Sequence, residues 1–314
     1  MREIKGDSAF TAPTLYGTHP QSTYAGALSF MRRKYTRELA GVDVAVLGVP
    51  CDLSTSNRPG ARFGPAGVRT ASAHLAWGPL HPWDFDPLDR LAVIDYGDVH
   101  FDYGYVDRMI AAVEEEAGRI LDAGVSLLAL GGDHFVSLPL LRAHAKRHGM
   151  LSLVHFDAHS DTWRDDKLNH GTMFFHAMQE GLIDPERSVQ VGIRTHNPET
   201  HGFTILDAGT VHREGTAAIA DRIKRVVGDN HAYLTFDIDC LDPSCAPGTG
   251  TPVCGGLSSF QAADILVRLD GIDFVGMDLV EVAPLYDVGE ITALAGATLA
   301  LHYLSLRASQ RQAR

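Results

Sequence analysis

Beyond its first forty residues the chain alternates between short runs of apolar, often β-branched residues and longer stretches that carry one apolar face. The runs VAVLGVP (44–50), LAVIDYG (91–97), VSLLALGG (125–132), LSLVHFDAH (151–159), SVQVGIR (188–194), AYLTFDID (232–239) and FVGMDLVEV (274–282) read as buried strands. Between them, 106–123, 138–147, 216–227, 259–269 and 291–307 show helical spacing, with stops at Gly124 and Gly149. Strands that alternate with helices predict an α/β fold: a single-domain, three-layer αβα architecture with a mainly parallel central sheet. Residues 54–69, rich in Gly, Pro and Arg, read as a loop running into a helix. Residues 1–41 read as an N-terminal extension packed on the core, and 42–314 as the single α/β domain.

Composition narrows the function classes. With 314 residues, 45% hydrophobic and 21% charged, the chain can bury one large core. A formal charge of -12 argues against nucleic acid, which needs a basic surface, and suits a small cationic partner better. The four cysteines, Cys51, Cys240, Cys245 and Cys254, form no CxxC pair, so neither a disulfide framework nor a zinc cluster is indicated. Charges at Arg2, Glu3, Lys5 and Asp7 leave no apolar run for a signal peptide or membrane span. The expectation is a cytoplasmic protein with neither a membrane nor a nucleic-acid partner.

Three segments carry the candidate chemistry. Gly131-Gly132-Asp133-His134 follows an apolar strand and precedes a helix, which sets His134 beyond a strand's carboxyl end, where open parallel sheets bind ligands. In His155-Phe156-Asp157-Ala158-His159-Ser160-Asp161, polar residues recur at every second position; if strand geometry continues, Asp157, His159 and Asp161 project together. Carboxylates so close repel one another unless cations lie among them. His155 shares the parity but sits deeper in the strand, where it supports a ligand rather than acting as one. Asp237 and Asp239 repeat the spacing at the end of another apolar strand. Four aspartates and two histidines suit manganese, while ligand type alone leaves zinc, cobalt and iron open. Cys240 points the other way by parity and reads as packing.

At these motifs the chain resembles the ureohydrolase family of arginases, agmatinases and guanidinobutyrases, the agmatinases most of all. The resemblance is carried by GGDHFVSLPLL (131–141), HFDAHSDTW (155–163), HGTMF (170–174) and FDIDCLDPSCAPGTGTPVCGGL (236–257), with RFGPAGVR (62–69), SVQVGIRT (188–195), GMDLVEVAP (276–284) and EITALAGATLAL (290–301). It takes in nearly everything after Val42. The resemblance implies the arginase-like fold and a homo-oligomer, trimeric or hexameric. It also implies two Mn2+ ions: His134, Asp157, Asp161 and Asp237 would hold one, and Asp157, His159, Asp237 and Asp239 the other, so that Asp157 and Asp237 bridge.

Two such cations, about 3.5 to 4 Å apart, share a water and lower its pKa, giving a bridging hydroxide able to attack a guanidinium carbon. Glu281 matches the family's guanidinium-binding glutamate, and a carboxylate fits the two parallel N–H groups of that fork. Asp161 would relay a proton to the departing nitrogen, and His170 matches the family's proton-shuttle histidine. The loop 162–169 lacks the serine-rich run with which arginases hold an α-carboxylate, which favours the decarboxylated substrate agmatine, split to putrescine and urea. Asp165 and Asp166 would meet the distal amine, or are solvated loop charges; Trp163 lines the pocket or packs beneath the loop. Arg164 and Lys167 leave room for 4-guanidinobutyrate and so for a guanidinobutyrase. From other classes, a non-catalytic metal-stabilised oligomeric protein would be expected to have lost a ligand, His170 or Glu281. A metal amidohydrolase would not need Glu281 beside paired DxHxD and DxD motifs.

Overall fold

All seven apolar runs form strands, and two short ones join them. The computed structural model describes residues 6–312 apart from Pro20 and Tyr103, so Arg2, Glu3 and Lys5 lie outside the described residues. The strands are β1 (Lys34–Tyr35), β2 (Val44–Gly48), β3 (Val93–Asp98), β4 (Ser126–Leu130), β5 (Ser152–Phe156), β6 (Val189–Val191), β7 (Thr204–Leu206), β8 (Ala232–Asp237) and β9 (Phe274–Val280). They make one sheet in the order β1-β3-β2-β4-β9-β8-β5-β6-β7, and every pairing is parallel.

Parallel neighbours cannot be joined by hairpins, so each crossover must traverse a face of the sheet. The described α-helices are α1 (Ser8–Thr11), α2 (Gly64–Ser72), α3 (Pro87–Arg90), α4 (Val106–Asp122), α5 (Ser137–His148), α6 (Met173–Gln179), α7 (Ala208–Glu214), α8 (Thr216–Val227), α9 (Ser259–Arg268) and α10 (Ile291–Gln312). Strand alternation divides the interior into two cores. In β4, Leu128 and Leu130 pack toward α2, α8, α9 and α10, while Leu127 and Ala129 pack toward α4, α5 and α6. That is why these strands read as continuous apolar runs: both faces are covered. The predicted stops hold, with Gly124 and Gly149 just past α4 and α5 at φ of 76° and 80°, a conformation that costs glycine little.

The N-terminal segment contributes to this framework. β1 pairs with β3 at the sheet's edge, and Phe30 and Met31 are buried in the first core. Among the described residues no helix is long and apolar enough to cross a membrane.

The site is positioned by a detour of the chain. From β4 the path skips two places in the sheet to lay down β5, and β8 and β9 later fill the gap. Such a switch in strand order opens a crevice at the carboxyl ends of the strands. The segments after β4, β5, β8 and β9, which neighbour one another in the order β4-β9-β8-β5, meet there.

One expectation is corrected. Strand geometry does not run on through Asp161: β5 ends at Phe156, and Asp161 has a φ of 52°. Asp157 is instead locked in a turn by the His159 amide, which donates to its Oδ1 at 2.6 Å. The polar residues converge by turning out of the strand, not by prolonging its alternation.

Candidate metal centre

His134 opens a 3-10 turn, His134–Val136, between β4 and α5, and its ring is fully buried. Its Nδ1 lies 3.0 Å from Asp157 Oδ2, 3.0 Å from Asp161 Oδ2 and 3.2 Å from Asp237 Oδ2, yet it makes no hydrogen bond to any of them. Oxygens crowded around a ring nitrogen without the alignment of a hydrogen bond are the arrangement of ligands around a common point.

The other edge of the ring explains its orientation. Thr235 donates its hydroxyl to Asp278 Oδ1 at 2.6 Å, so Thr235 Oγ1 must accept from His134 Nε2, 2.8 Å away. When the ring is neutral, its proton is therefore on Nε2 and the Nδ1 lone pair is turned toward the three carboxylates. Asp278 is held in turn by the hydroxyls of Ser137 (2.7 Å) and Tyr233 (3.0 Å).

The second half of the cluster lies alongside. His159 Nδ1 is 3.3 Å from Asp157 Oδ1 and 3.2 Å from Asp239 Oδ2, so Asp157 presents one oxygen to each half. Asp239 Oδ2 also accepts from Thr251, and its Oδ1 from the Ala158 amide. Ligand-type atoms of His134, His155, Asp157 and Asp161 lie within 4.8 Å of one another, as do those of Asp157, His159 and Asp239. His155 belongs to the first group by distance only. Gln190 donates to its Nδ1 at 3.0 Å, which leaves Nε2 as the donor to Asp157 Oδ2 at 2.7 Å; it braces the carboxylate, as its depth in the strand implied. Asp237 reaches the His134 half through Oδ2, while its Oδ1 receives the Asp239 amide at 2.8 Å.

The electrostatics show a deficit of positive charge. Burial raises Asp161, Asp237 and Asp239; the charge of Asp157 adds to all three, and Asp239 presses further on Asp237, which stands well above the usual carboxylate range. Asp157 moves the other way: burial pushes it up, but His155, His134 and His159 together hold it well below that range. Burial also opposes charge on the two imidazoles, yet the carboxylates override it, raising His134 well above its ordinary value and His159 to about 12. A proton on each ring is the nearest substitute for the cations this donor set calls for. His134 Nδ1, buried and unpartnered beside three carboxylates, is the observation that fits the residues to a bound metal.

Beyond the cluster lies Glu281, buried, with a φ of 63°. Its Oε1 accepts from the His134 amide (2.9 Å) and faces His170 Nδ1 (3.0 Å), while Oε2 has no partner among the described residues. Burial disfavours charge on His170, but the hydrogen bond and charge of Glu281 outweigh it and raise the ring to about 9. A cavity of about 450 Å³ opens over the cluster, with His159, Asp161 and Asp237 at its floor and Trp163, Asp165 and His170 in its wall. Arg164 lines it too, whereas Asp166 does not. Trp163 is half exposed, and Asp165 and Asp166 are exposed.

The structure thus brings together the six expected ligands, Glu281 and His170, with Trp163 and Asp165 at the mouth. Sequence reasoning missed Thr235 and Asp278. Their signal is a polar residue in the middle of each of two buried strands, but only the register, which pairs Thr235 with Asp278, joins them.

Comparison with known proteins identifies the family. The model of the Arginase family matches residues 42–305. An agmatinase of Chromobacterium violaceum is 53% identical over 314 residues, covering 99% of this chain and 98% of its own. A crystal structure described as a hypothetical agmatinase from Burkholderia thailandensis superposes with a TM-score of 0.96 at 56% identity, covering 98% of this chain and 99% of the other. Proclavaminate amidino hydrolase from Streptomyces clavuligerus follows at a TM-score of 0.85 and 36% identity, covering 92% of this chain and 99% of the other. With a family model spanning most of its length and relatives of this similarity, the chain belongs to the arginase family.

Proposed function

We propose that the chain is an agmatinase, hydrolysing agmatine to putrescine and urea at a pair of manganese ions held by His134, Asp157, His159, Asp161, Asp237 and Asp239. The single observation that carries the guanidino specificity is Glu281 Oε2, a buried carboxylate oxygen without a partner among the described residues, beside the charge-deficient cluster. An unpaired buried acceptor is costly, and a guanidinium N–H satisfies it. The relatives at about this level of identity carry the agmatinase name, which supports the substrate.

When bound, the two cations supply positive charge and a water of lowered pKa that is nucleophilic at neutral pH. Glu281 would hold the guanidinium over the cluster, with Oε1 fixed by His170 and the His134 amide. Asp161 accepts the proton of the attacking water and delivers it to the departing nitrogen, so the C–N bond breaks to release an amine and urea. His170, charged below about pH 9, stands beside Glu281 as a further proton source.

A second reading rests on Arg164, which shares the cavity wall with Asp165 and offers a partner to a carboxylate-ended substrate such as 4-guanidinobutyrate. Urea release from agmatine, 4-guanidinobutyrate, 3-guanidinopropionate and arginine, measured in parallel with manganese present, separates the two. Agmatine is expected to give the highest kcat/KM. A higher value for 4-guanidinobutyrate overturns the substrate assignment and leaves the hydrolytic reading standing; no urea from any of them overturns both.

A further inference from the structure

Asp133, next to His134, is fully buried and has no part in the chemistry derived so far. Its Oδ2 accepts from the Ser54 amide at 2.9 Å, while Oδ1 has no partner among the described residues. A buried carboxylate with one oxygen unpaired lowers stability, so its presence at this position asks for another reason.

The reason lies in the segment it holds. The Asp133 amide donates to Cys51 O at 2.7 Å, and a side chain at Gly132 would meet that carbonyl at 1.6 Å, so the backbone around Cys51 is pressed directly onto the turn that carries His134. From there the segment runs through Ser54 to Ser56, whose hydroxyl lies 2.7 Å and whose amide lies 3.0 Å from His170 Nε2. These two groups suit the two states of the ring. The protonated imidazole donates to the hydroxyl, and the neutral one, its Nδ1 proton facing Glu281, accepts from the amide. A histidine that gives up and regains a proton thereby keeps a partner at Nε2 throughout.

We propose that Asp133 is a positioning residue for the reaction, fixing the Cys51 to Ser56 segment so that Ser56 holds His170 in both of its protonation states. The proposal rests on the reading of His170 as a proton-handling group. Its effect belongs mainly in kcat, because His170 is the proton source for the departing nitrogen, while Glu281, which binds the guanidinium, keeps the His134 amide as a second donor to Oε1.

The test is a double-mutant cycle with Asp133→Ala and His170→Ala in the manganese-loaded enzyme, with Asp133→Asn as the conservative variant and Ser54→Pro removing the other half of the same hydrogen bond. Asp133→Ala is expected to lower kcat roughly tenfold, the usual consequence of losing one buried hydrogen bond. KM should move less than about threefold, manganese per chain should be unchanged, and Asp133→Asn should recover most of kcat. In the His170→Ala background the Asp133→Ala loss should shrink below about twofold, because partners in one network are not additive. If Asp133→Ala does not fold, Ser54→Pro must show the same loss and the same dependence on His170. An equal loss with and without His170, a loss of manganese, or an unchanged kcat overturns the proposal. If His170→Ala alone is as active as the parent, the reading of His170 fails and the proposal with it, a result distinguishable from the others.

Discussion

Two groups of aspartates, one on β3 and one at the carboxyl ends of β5 and β8, have opposite charge balance. At the β2–β3 end, Arg69 lies between Asp95 and Asp98. Its Nε and Nη2 reach Asp95 at 2.9 and 3.0 Å, and its Nη1 reaches Asp98 at 2.6 Å. The amides of Phe30 and Gly97 complete Asp95, so both of its oxygens are saturated. At the β4–β9–β8–β5 end, Asp157, Asp161, Asp237 and Asp239 have no lysine or arginine side chain as an ion-pair partner among the described residues, only histidines. The first group is complete as it stands and acts as a strut. The second is complete only with cations added, and this deficit marks it as a site.

The sharpest way to break the comparison is to remove one member of each. Asp237→Ala should cut urea release by roughly a thousandfold or more, in keeping with loss of a catalytic metal's charge. Metal-free Asp237→Asn, by contrast, should melt at a higher temperature than metal-free parent protein, because burial and the charges of Asp239 and Asp157 already oppose its ionisation. Arg69→Met should do the reverse: a loss of about 3–5 kcal/mol in stability from stranding Asp95, with manganese per chain and kcat of the folded fraction unchanged. Denaturant melts and metal analysis on both variants read these outcomes.

Glu281→Gln sharpens the boundary between holding metal and holding substrate. It should lower kcat/KM by roughly a hundredfold to a thousandfold while manganese content stays that of the parent, as assayed by urea release and elemental analysis. Thr235→Val has a smaller expected effect. It removes the acceptor that sets the His134 tautomer, and manganese affinity measured by calorimetry should weaken by about 10- to 100-fold.

His144 supplies a buried group that belongs to neither class. Burial lowers it to about 4, with the carbonyl of Leu140 pulling back and His148 adding to the drop. The unfolded chain takes up this proton near pH 6.5 and the folded chain only at about 4. Stability from this group is therefore present above 6.5 and declines as pH falls toward 4. The His144→Gln variant should show a shallower loss of melting temperature over that window than the parent.

Much of this site is legible in the sequence because its ligands sit where apolar runs end, and a run's end is a local signal. Six strands of five to seven residues and the five long helices announce themselves in the same way, and β6, three residues long, is legible through the longer apolar run 188–194 that contains it. β1 and β7 do not: Lys34–Tyr35 and Thr204–Leu206 are too short to show a period, and only pairing in the sheet makes them strands. The same holds for α6 and α7, each about two turns long. The left-handed backbone at Asp161 and Glu281 is invisible in advance, since neither residue is a glycine and each conformation is imposed by its neighbours. Loop 162–169 marks the other limit. Its base is closed by the Trp163 amide on Gly171 O, and the Asp165 carboxylate accepts from the Lys167 amide within the loop itself, so its charges declare no substrate partner of their own.

If two divalent ions fill the charge deficit among the four aspartates, turnover depends on them. The direct measurement strips the protein with a chelator, restores manganese in steps, and follows ions bound per chain together with urea released from agmatine. Two ions per chain are expected, with activity rising as the pair is completed. Full urea release from chains that hold no metal would contradict the claim.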